Sequence, residues 1–321
     1  MNRREFLATS AVVAAASESS ALADAPMPMA NLGKTGLNIS RIAVGGYHMR
    51  IKGQDEGVKI IHRAIDLGVN FFDSAHLYHN SESDTTYGVA LQGGLRQKVY
   101  LHSKAEIYTA AGAMQELEDT LRRMKTDYLD LWSCHQVSTH KEVDQILAPG
   151  GSLETFVKAK QQGKVRHIGF TGHHDPSVHV RLLEAFNGWE TVQHPVNLVD
   201  PHYESFILNV LPKVRSRGLG LLGMKSNGIG ALTQLKVATI DECLRFAWSH
   251  DIDTLVSGVE TVAQLEYNVG VCKAFSKMSP KEISSILERT KTGPVGQPAE
   301  RYKRAVTGAA LVRPHRDGDA V

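Results

Sequence analysis

The sequence alternates between amphipathic helical segments and short apolar segments with a nearly constant period. "VKIIHRAIDLG" has apolar residues on one helical face and stops at Gly68, and the next residues, "VNFFDS", form a short apolar run that ends in polar groups. Three consecutive apolar runs end in polar residues, Asp73, Lys104 and His135, and successive members of this set are 31 residues apart. This spacing is typical of a strand, a helix and their two connecting loops. The same order recurs in "MQELEDTLRRM" before "DYLDLWSCH", "LETFVKAKQQG" before "KVRHIGFTG", "VRLLEAFNG" before "TVQHP", "FILNVLPKVRSRG" before "LGLLGMK", and "IDECLRFAWSHD" before "IDTLVSG".

These segments, with "RIAVGG" at the front and "VYLHSK" in third place, give eight predicted strands. Eight alternating units in one domain predict a parallel (β/α)8 barrel, the TIM barrel of the α/β class, rather than a doubly wound open sheet. We assign the barrel to residues 30–275, with "LGKTGLNIS" as an N-terminal hairpin that plugs its floor. Residues 276–321 are predicted as one further helix, capped by Ser279, Pro280 and Glu282, and a loop-rich, partly disordered tail.

The first 23 residues are predicted to be an export signal outside the fold. Arg3 and Arg4 form a short basic region, residues 6–16 form an apolar run too short to span a bilayer, and the small residues that follow suit cleavage after Ala23. The paired arginines resemble a twin-arginine signal, which carries folded proteins to the periplasm or otherwise out of the cytoplasm. A basic, disordered N-terminus that stays in the cytoplasm is the alternative.

The charge balance gives no sign of a nucleic-acid or anionic-membrane partner, because 36 basic and 34 acidic residues leave a formal charge of +2. Three cysteines, Cys134, Cys243 and Cys272, lack the C-x-x-C spacing of metal sites and are predicted to be small buried hydrophobes. The stretch "GLGLLG", residues 218–223, matches G-x-G-x-x-G, but it follows a helix and lies in a predicted strand. It therefore does not predict a Rossmann dinucleotide site.

Proton-handling side chains follow three neighbouring strands of the predicted barrel. Asp73 ends the second strand and Tyr78 lies in the loop behind it, Lys104 ends the third strand and His135 ends the fourth. Each residue alone has a structural explanation, as a helix cap, a loop residue, a solvated lysine or a core histidine. In this fold, however, the carboxyl ends of all strands meet at one mouth, where active sites lie. The sequence therefore predicts a catalytic site formed by these four residues.

Several motifs resemble those of the aldo-keto reductases in order and spacing. They are "LGKTGLNISRIAVGG", "AIDLGVNFFDSAHLYHNSE", "VYLHSK", "DYLDLWSCH", "GKVRHIGFTG", "VQHPVN" and "LVSGVETVAQLEYN". "IGFTGHHDP" and "VNLVDPHYESF" look more like a divergent bacterial branch of predicted oxidoreductases than the sugar and steroid reductases. The resemblance implies NAD(P)H-dependent reduction of an aldehyde or ketone, or the reverse oxidation of an alcohol. It places Asp73, Tyr78, Lys104 and His135 on the family's catalytic tetrad.

Reduction of a carbonyl needs an acid that protonates the developing alkoxide as hydride arrives. We expect Tyr78 to be that acid, with its pKa lowered from about 10 by the positive charge of Lys104. Asp73 is expected to hold the ammonium group by a charge-assisted hydrogen bond and aim it at the phenol oxygen. His135 is expected to orient the carbonyl or share the proton.

The same resemblance implies a set of residues around an NAD(P) cofactor. Thr171 and Gln193 align with residues that bind the nicotinamide carboxamide. Gly172 stands where an asparagine is usual, and Met224 stands where many members stack a tyrosine on the nicotinamide ring. The full predicted set is Gly45, Gly46, Thr171, Gly172, Gln193, Met224, Lys225, Ser226, Gly258, Gln264 and Asn268.

The predicted nucleotide preference rests on the diphosphate and 2′-phosphate positions. Lys225 and Ser226 are expected to reach the pyrophosphate. Gly258 and Gln264 occupy positions where many members place Lys and Arg against the 2′-phosphate, and Glu260 adds a nearby negative charge. The family favours NADP, whereas these charges lean toward NAD or weak discrimination.

Two other functions remain open from the sequence. A metal-dependent hydrolase on the same barrel would also gather histidines at strand ends, although this chain has Ala43 and Gly45 where such sites usually need H-x-H. The histidines at or beyond predicted strand ends are His76, His79, His135, His173, His174 and His194. His173 and His174 are expected to line the substrate pocket or to be solvated in a loop. The other open hypothesis is a non-catalytic subunit that binds a nucleotide. If the chain is an enzyme, the sequence does not specify which small carbonyl or alcohol is its substrate.

Overall fold

The alternating segments fold as a closed barrel of eight parallel strands, which confirms the predicted (β/α)8 architecture. The protein is described by a computed structural model that covers residues 25–292 and 299–303. The predicted export signal lies outside the described residues. An antiparallel hairpin of β1 (Met29–Asn31) and β2 (Asn38–Ser40) precedes the barrel. The barrel strands are β3 (Ile42–Gly45), β4 (Phe71–Asp73), β5 (Tyr100–Ala105), β6 (Leu129–Cys134), β7 (Val165–Thr171), β8 (Thr191–Pro195), β9 (Gly220–Met224) and β10 (Thr254–Ser257).

Helices connect successive strands and cover the barrel. Their bounds are α1 (Gly46–Arg50), α2 (Gln54–Asp66), α3 (Glu82–Ala90), α4 (Ala110–Met124), α5 (His140–Leu147), α6 (Ser152–Gln161), α7 (Pro176–Ala185), α8 (Phe206–Asn209), α9 (Leu211–Ser216), α10 (Ala231–Gln234), α11 (Ile240–Trp248), α12 (Val262–Lys273) and α13 (Pro280–Thr290). Helix α13 begins as predicted, with Ser279 as N-cap, Pro280 at its first position and Glu282 completing a capping box. In the described part of the chain, no helix combines the length and apolar character needed to cross a membrane.

The N-terminal hairpin closes the floor of the barrel, as predicted. Leu32, Leu37 and Ile39 are buried with inward-facing barrel residues such as Phe71 and Leu222 in one apolar cluster. The chain passes so close to the barrel here that a Cβ at Gly33 would lie 2.2 Å from the backbone nitrogen of Gly220. Gly33 also has a φ of +50°, which glycine adopts without strain. The lower half of the barrel is therefore sealed, and the chemistry is left to the opposite end.

A second, larger apolar core lies between the barrel and its helices. Cys134, Cys243 and Cys272 are free and buried in it, as expected for small hydrophobic side chains. Burial raises the pKa of each thiol to about 12. Residues 220–223 of the glycine-rich stretch form most of β9, which explains why that stretch does not open a helix.

The strand register places polar side chains at the carboxyl ends of neighbouring barrel strands. Asp73 at the end of β4 pairs with His102 of β5, and Lys104 of β5 pairs with Ser133 of β6. On the far side, Thr171 at the end of β7 pairs with Gln193 of β8. Because side chains of i and i+2 point to the same side of a strand, His102 and Lys104 face the same way. The mouth therefore receives polar side chains from at least four neighbouring strands.

Candidate active site

Asp73 and Lys104 form a buried ion pair at the mouth of the barrel. The Lys104 ammonium donates to both carboxylate oxygens of Asp73, at 2.7 and 2.8 Å, and to the Ser74 carbonyl at 2.6 Å. Both side chains are 2% exposed. The predicted hydrogen bond is present, and the three ammonium hydrogens are all directed at Asp73 and Ser74.

His102 is a further member of this group that the sequence analysis missed. Its Nδ1 lies 2.9 Å from Oδ1 of Asp73, and its Nε2 is hydrogen-bonded to the Ser133 hydroxyl at 2.9 Å. Burial lowers the pKa of His102 to about 4, so the ring is neutral. Burial alone would raise the pKa of Asp73, but Lys104 and His102 outweigh it and lower the value to about 2. The sequence feature that could have predicted this position is the i, i+2 spacing of His102 and Lys104, which places both side chains on the same side of one strand.

Tyr78 lies in a loop of unusual backbone conformation after β4. The three residues that follow it, His79, Asn80 and Ser81, all have left-handed φ values between 50° and 68°. Such conformations are unfavourable for non-glycine residues and persist where the surroundings impose them. Here the Ser81 hydroxyl donates to the His76 carbonyl, and the His79 ring bonds the Tyr47 carbonyl, each at 2.8 Å. The loop that presents Tyr78 is therefore held in one conformation.

The Tyr78 ring packs directly on the buried ion pair. The Lys104 ammonium lies 5.2 Å from the ring centroid, and the rings of His135 and Tyr47 meet it edge-on, each with a centroid distance of 5.6 Å. The side chain is partly exposed, and no residue in the described ranges hydrogen-bonds its hydroxyl group. The hydroxyl is thus available to a molecule that enters the mouth.

The prediction that Lys104 lowers the pKa of Tyr78 is wrong for this structure. Burial, followed by the negative charges of Asp73 and Glu106, raises the pKa of Tyr78 well above 10. The reason is geometric, because the Lys104 charge is paired with Asp73 and its hydrogens are donated to Asp73 and the Ser74 carbonyl rather than to the phenol oxygen. The phenol is therefore fully protonated at neutral pH, which is the form that a proton donor requires.

His135 stands beside the tyrosine as a neutral imidazole. Burial, with the charge of Lys104, lowers the pKa of His135 well below 6.5. Its Nδ1 lies 3.6 Å from a carboxylate oxygen of Glu106, and its backbone carbonyl accepts a hydrogen bond from Tyr108 at 2.7 Å. A neutral imidazole keeps one N–H donor, so His135 can orient a carbonyl oxygen but is not a cationic acid.

Gln193 connects the catalytic group with the predicted nicotinamide position. Its amide nitrogen donates to Asp73 Oδ1 at 3.2 Å, whereas its Oε1 is buried and has no hydrogen-bond partner in the described residues. A buried acceptor without a donor is unfavourable unless a ligand satisfies it. The amide N–H group of a nicotinamide carboxamide has the chemistry to do so. Thr171 lies beside Gln193 in the strand register, and its hydroxyl accepts a long hydrogen bond from the Gln136 backbone at 3.4 Å.

Gly172 lacks a side chain because another residue fills the space. A Cβ at Gly172 would lie 2.2 Å from Nε2 of His179 and 2.7 Å from the Val137 carbonyl, to which that nitrogen donates. The carbonyl of Gly172 in turn accepts from the His194 ring at 3.2 Å. An asparagine cannot occupy this position in the present packing, which accounts for the departure from the family pattern noted above.

Gly45 and Gly46 lie at the end of β3, beside Asp73. A Cβ at Gly46 would lie 2.6 Å from the Asp73 carbonyl and 2.5 Å from the Ser83 hydroxyl. A Cβ at Gly45 would meet the Ser257 carbonyl at 3.2 Å. Both glycines therefore allow close backbone packing behind the site.

The remaining predicted cofactor residues follow the last two strands. Met224 ends β9 and is followed by Lys225, whose φ is +56°, and by the buried Ser226. Gly258 packs against the ring of His48, since a Cβ there would lie 2.5 Å from its Nδ1.

Gln264 and Asn268, on α12, are both engaged within the protein. The Gln264 side-chain oxygen accepts from the Glu260 backbone at 2.7 Å, and the Asn268 amide donates to the Ser257 hydroxyl at 2.9 Å. These contacts fix the loop between β10 and α12.

The histidines at the strand ends take separate structural positions. His173 and His174 are buried, so the expectation of a solvated loop is wrong, and the His174 ring donates to the Tyr302 carbonyl. His179 and His194 lie edge to face at 4.7 Å between centroids. Within residues 25–292 and 299–303, no three His, Cys, Asp or Glu side chains are grouped to hold a metal ion.

Known proteins share both the sequence pattern and the fold. The model described as the aldo/keto reductase family matches residues 41–242. L-galactose dehydrogenase from Arabidopsis thaliana is 25% identical over 312 residues, which cover 81% of this chain and 94% of that protein.

Solved structures agree on the barrel. The holo form of an aldo-keto reductase from Bacillus halodurans superposes with a TM-score of 0.71 at 20% identity, covering 85% of this chain and 99% of that one. An aldo-keto reductase from Klebsiella pneumoniae in complex with NADPH gives 0.67 at 18% identity, covering 87% and 99%. Because the family model matches more than half of the chain, the chain belongs to the aldo/keto reductase family of NAD(P)-dependent oxidoreductases.

Proposed function

We propose that this enzyme transfers hydride between a nicotinamide dinucleotide and a small carbonyl compound, with Tyr78 as the proton donor in the direction of reduction. One observation carries the proposal. The Tyr78 hydroxyl has no hydrogen-bond partner in the described structure, and the ring that carries it contacts both the Lys104 ammonium of the buried ion pair and the neutral ring of His135. Oxidation of an alcohol is the reverse of the same reaction.

We assign the residues of the site to two roles, proton transfer to the substrate and orientation of the substrate. A bound reduced nicotinamide supplies the hydride. Tyr78 holds a proton at its phenol oxygen, and a phenol is a strong enough acid to protonate an alkoxide. His135 donates one N–H to the substrate carbonyl oxygen, the atom that Tyr78 protonates, and so orients the substrate. Asp73 accepts hydrogen bonds from both Lys104 and Gln193. It therefore fixes the position of Lys104, next to Tyr78, relative to Gln193, which is the proposed contact of the nicotinamide carboxamide.

The residues present fit a nicotinamide cofactor. The unpaired Oε1 of Gln193 is an acceptor for the carboxamide, and Lys225 and Ser226 are donors for a diphosphate. Family members use NADP(H) or NAD(H), and the Klebsiella pneumoniae structure is a complex with NADPH. We propose weak discrimination between the two, since Gly258 and Gln264 bring no positive charge and Gln264 is bonded to the Glu260 backbone.

The proposed substrates are polyhydroxylated aldehydes and the corresponding sugar alcohol groups. L-galactose dehydrogenase, which covers most of both chains, is named for such a substrate. The test is a panel of aldoses, aliphatic aldehydes and ketones with NADPH and NADH, followed by nicotinamide absorbance in both directions. Turnover of any carbonyl supports hydride transfer, and faster turnover of aldoses than of aliphatic aldehydes and ketones supports the proposed substrate class. Dinucleotide binding without turnover on the whole panel would favour a non-catalytic subunit, and neither binding nor turnover would reject the proposal.

We also propose that the enzyme is exported through the twin-arginine machinery. The support is the sequence of residues 1–23, with Arg3 and Arg4 ahead of an apolar run. Fractionation of cells that produce the wild type and an Arg3→Lys/Arg4→Lys variant tests this. We expect a shortened product in the periplasm for the wild type and a full-length product in the cytoplasm for the variant. A full-length cytoplasmic wild type would contradict export.

A further inference from the structure

Residues 299–303, here called the C-terminal clasp, pack onto the barrel mouth. Their sequence, "AERYK", belongs to the segment predicted as loop and partly disordered tail. In the structure Ala299, Glu300, Tyr302 and Lys303 are at most 2% exposed. The carbonyl of Ala299 comes so close to Gly228 that a Cβ there would lie 2.7 Å from it. Four of these five residues of irregular structure are thus buried as deeply as the barrel core, and only Arg301 is exposed.

Buried polar contacts fix the clasp to the segment after β8. The Lys303 ammonium donates to Asp200 Oδ1 and to the Tyr203 carbonyl, each at 2.7 Å, and lies 2.8 Å from a Glu300 oxygen. The Asn197 amide donates to Glu300 at 2.8 Å. Charged groups are buried in this way only when they are paired, so the contacts specify one position for the clasp.

Tyr302 is held at both ends. Its hydroxyl donates to Glu300 at 2.8 Å and accepts from the Asn197 amide at 2.9 Å. Its backbone carbonyl accepts from His174 at 2.9 Å, and the His173 ring meets its ring edge-on at 5.3 Å between centroids. The ring plane is therefore fixed.

The face of this ring lies against Lys225. The Lys225 ammonium is 5.1 Å from the Tyr302 ring centroid, within the range of a cation–π interaction. Lys225 follows β9 directly, and its charge lowers the pKa of His48, His135 and His173, each of which is first lowered by burial. The ammonium therefore lies near side chains from several sides of the mouth. An aromatic face attracts a cation without neutralising it, whereas a carboxylate in the same place would cancel the charge.

We propose that Tyr302 is a positioning residue for the cofactor, whose ring holds the Lys225 ammonium where it meets the diphosphate of the dinucleotide. The clasp contacts at Asn197, Glu300 and Lys303 fix the ring for this role. The inference rests on the proposed function, because it assumes a dinucleotide at Lys225. It assigns to the C-terminal segment a share in dinucleotide affinity.

A double-mutant cycle on dinucleotide affinity tests the proposal. The dissociation constant of NADPH is measured by tryptophan fluorescence for the full-length wild type, Tyr302→Leu, Lys225→Met and the double variant. We expect Tyr302→Leu to weaken binding by about threefold to thirtyfold, the range of a cation–π interaction. In the Lys225→Met background the same change should have an effect of less than about twofold, because the partner is gone.

The conservative variant separates the ring from its hydroxyl group. Tyr302→Phe keeps the aromatic face and the contacts with His173 and His174 but loses the hydroxyl contacts, so it should lose less affinity for NADPH than Tyr302→Leu. A loss of affinity in Tyr302→Phe as large as in Tyr302→Leu, or an equal effect of Tyr302→Leu in both backgrounds, would overturn the proposal. If Tyr302→Leu does not fold, Tyr302→Met replaces it in the cycle, because methionine fills much of the same space without an aromatic face. Failure of the wild type to bind any dinucleotide would instead reject the proposed function itself.

Discussion

Replacing Asp73 by asparagine should destabilise the barrel strongly at neutral pH. Asp73 is 2% exposed, and its carboxylate accepts hydrogen bonds from Lys104 and Gln193. Asp73→Asn keeps the size of the side chain but removes its charge, so the Lys104 ammonium is buried without a counter-ion. Removing one partner of a buried ion pair costs about 3 to 5 kcal/mol.

The lowered pKa of Asp73 is a second consequence of the same buried ion pair. Burial opposes ionisation, yet Lys104 and His102 lower the pKa from 3.8 to about 2. That difference corresponds to about 2 to 3 kcal/mol of stabilisation. Because the folded state has the lower pKa, the stabilisation is fully present above the unfolded pKa and is lost as the pH falls from about 4 to about 2. The wild type should therefore lose stability in this acidic range.

The stability of the Asp73→Asn variant should instead depend on pH in the neutral to alkaline range. Burial lowers the pKa of Lys104, and Asp73 is the main group that opposes this shift. Without the carboxylate the pKa falls further, so the unfolded chain binds more protons than the folded one near neutrality. The stability of Asp73→Asn should consequently rise with pH toward the ordinary pKa of a lysine, and its deficit against the wild type should narrow in the same direction.

Urea unfolding followed by circular dichroism at several pH values measures both effects. Asp251→Asn is the matched control, because Asp251 forms an ion pair with Lys277 at 3.0 Å in which both side chains are more than half exposed. That control should change stability by less than about 1 kcal/mol. The double variant Asp73→Asn/Lys104→Met should recover part of the loss. An Asp73→Asn protein as stable as the wild type, or a deficit independent of pH, would refute the reasoning.

Two further results are expected. Gly172→Ala should lower the free energy of unfolding by about 1 to 3 kcal/mol, because the new methyl group meets His179, whereas Gly270→Ala, on α12 with open space around it, should be neutral or stabilising. Equal effects of the two substitutions in urea melts would contradict the packing at His179. The dissociation constants of NADPH and NADH should agree within about tenfold, since Gly258 and Gln264 add no charge for a 2′-phosphate. A preference for NADPH above about a hundredfold in a fluorescence titration would show that another positively charged side chain binds the 2′-phosphate.

The barrel and the ion pair were predictable because they depend on short-range patterns. Helix and strand periods repeat at regular spacing, and the parallel fold then brings Asp73 and Lys104 to neighbouring strand ends. The hairpin at the floor and the cap of α13 follow from turn and capping residues near each other in sequence. Resemblance to one family supplied the residue roles that patterns alone left open.

The electrostatics of Tyr78 were not predictable in the same way. Its hydroxyl position depends on a loop with three left-handed residues, none of which is glycine. The direction of the Lys104 hydrogens depends on the Ser74 carbonyl, a backbone group that no sequence pattern marks. For the clasp, contacts between Lys303 and Asp200 span about a hundred residues, and polar composition there indicated only a loop.

The most direct test of the proton-donor role is a single-turnover measurement with Tyr78→Phe. The enzyme is saturated with NADPH, mixed with a substrate identified in the carbonyl panel, and nicotinamide oxidation is followed by stopped flow. We predict a fall in the rate of about 10²- to 10⁴-fold, while the dissociation constant of NADPH stays within about twofold of the wild type. A Tyr78→Phe rate within about tenfold of the wild type would contradict the assignment of Tyr78 as the acid.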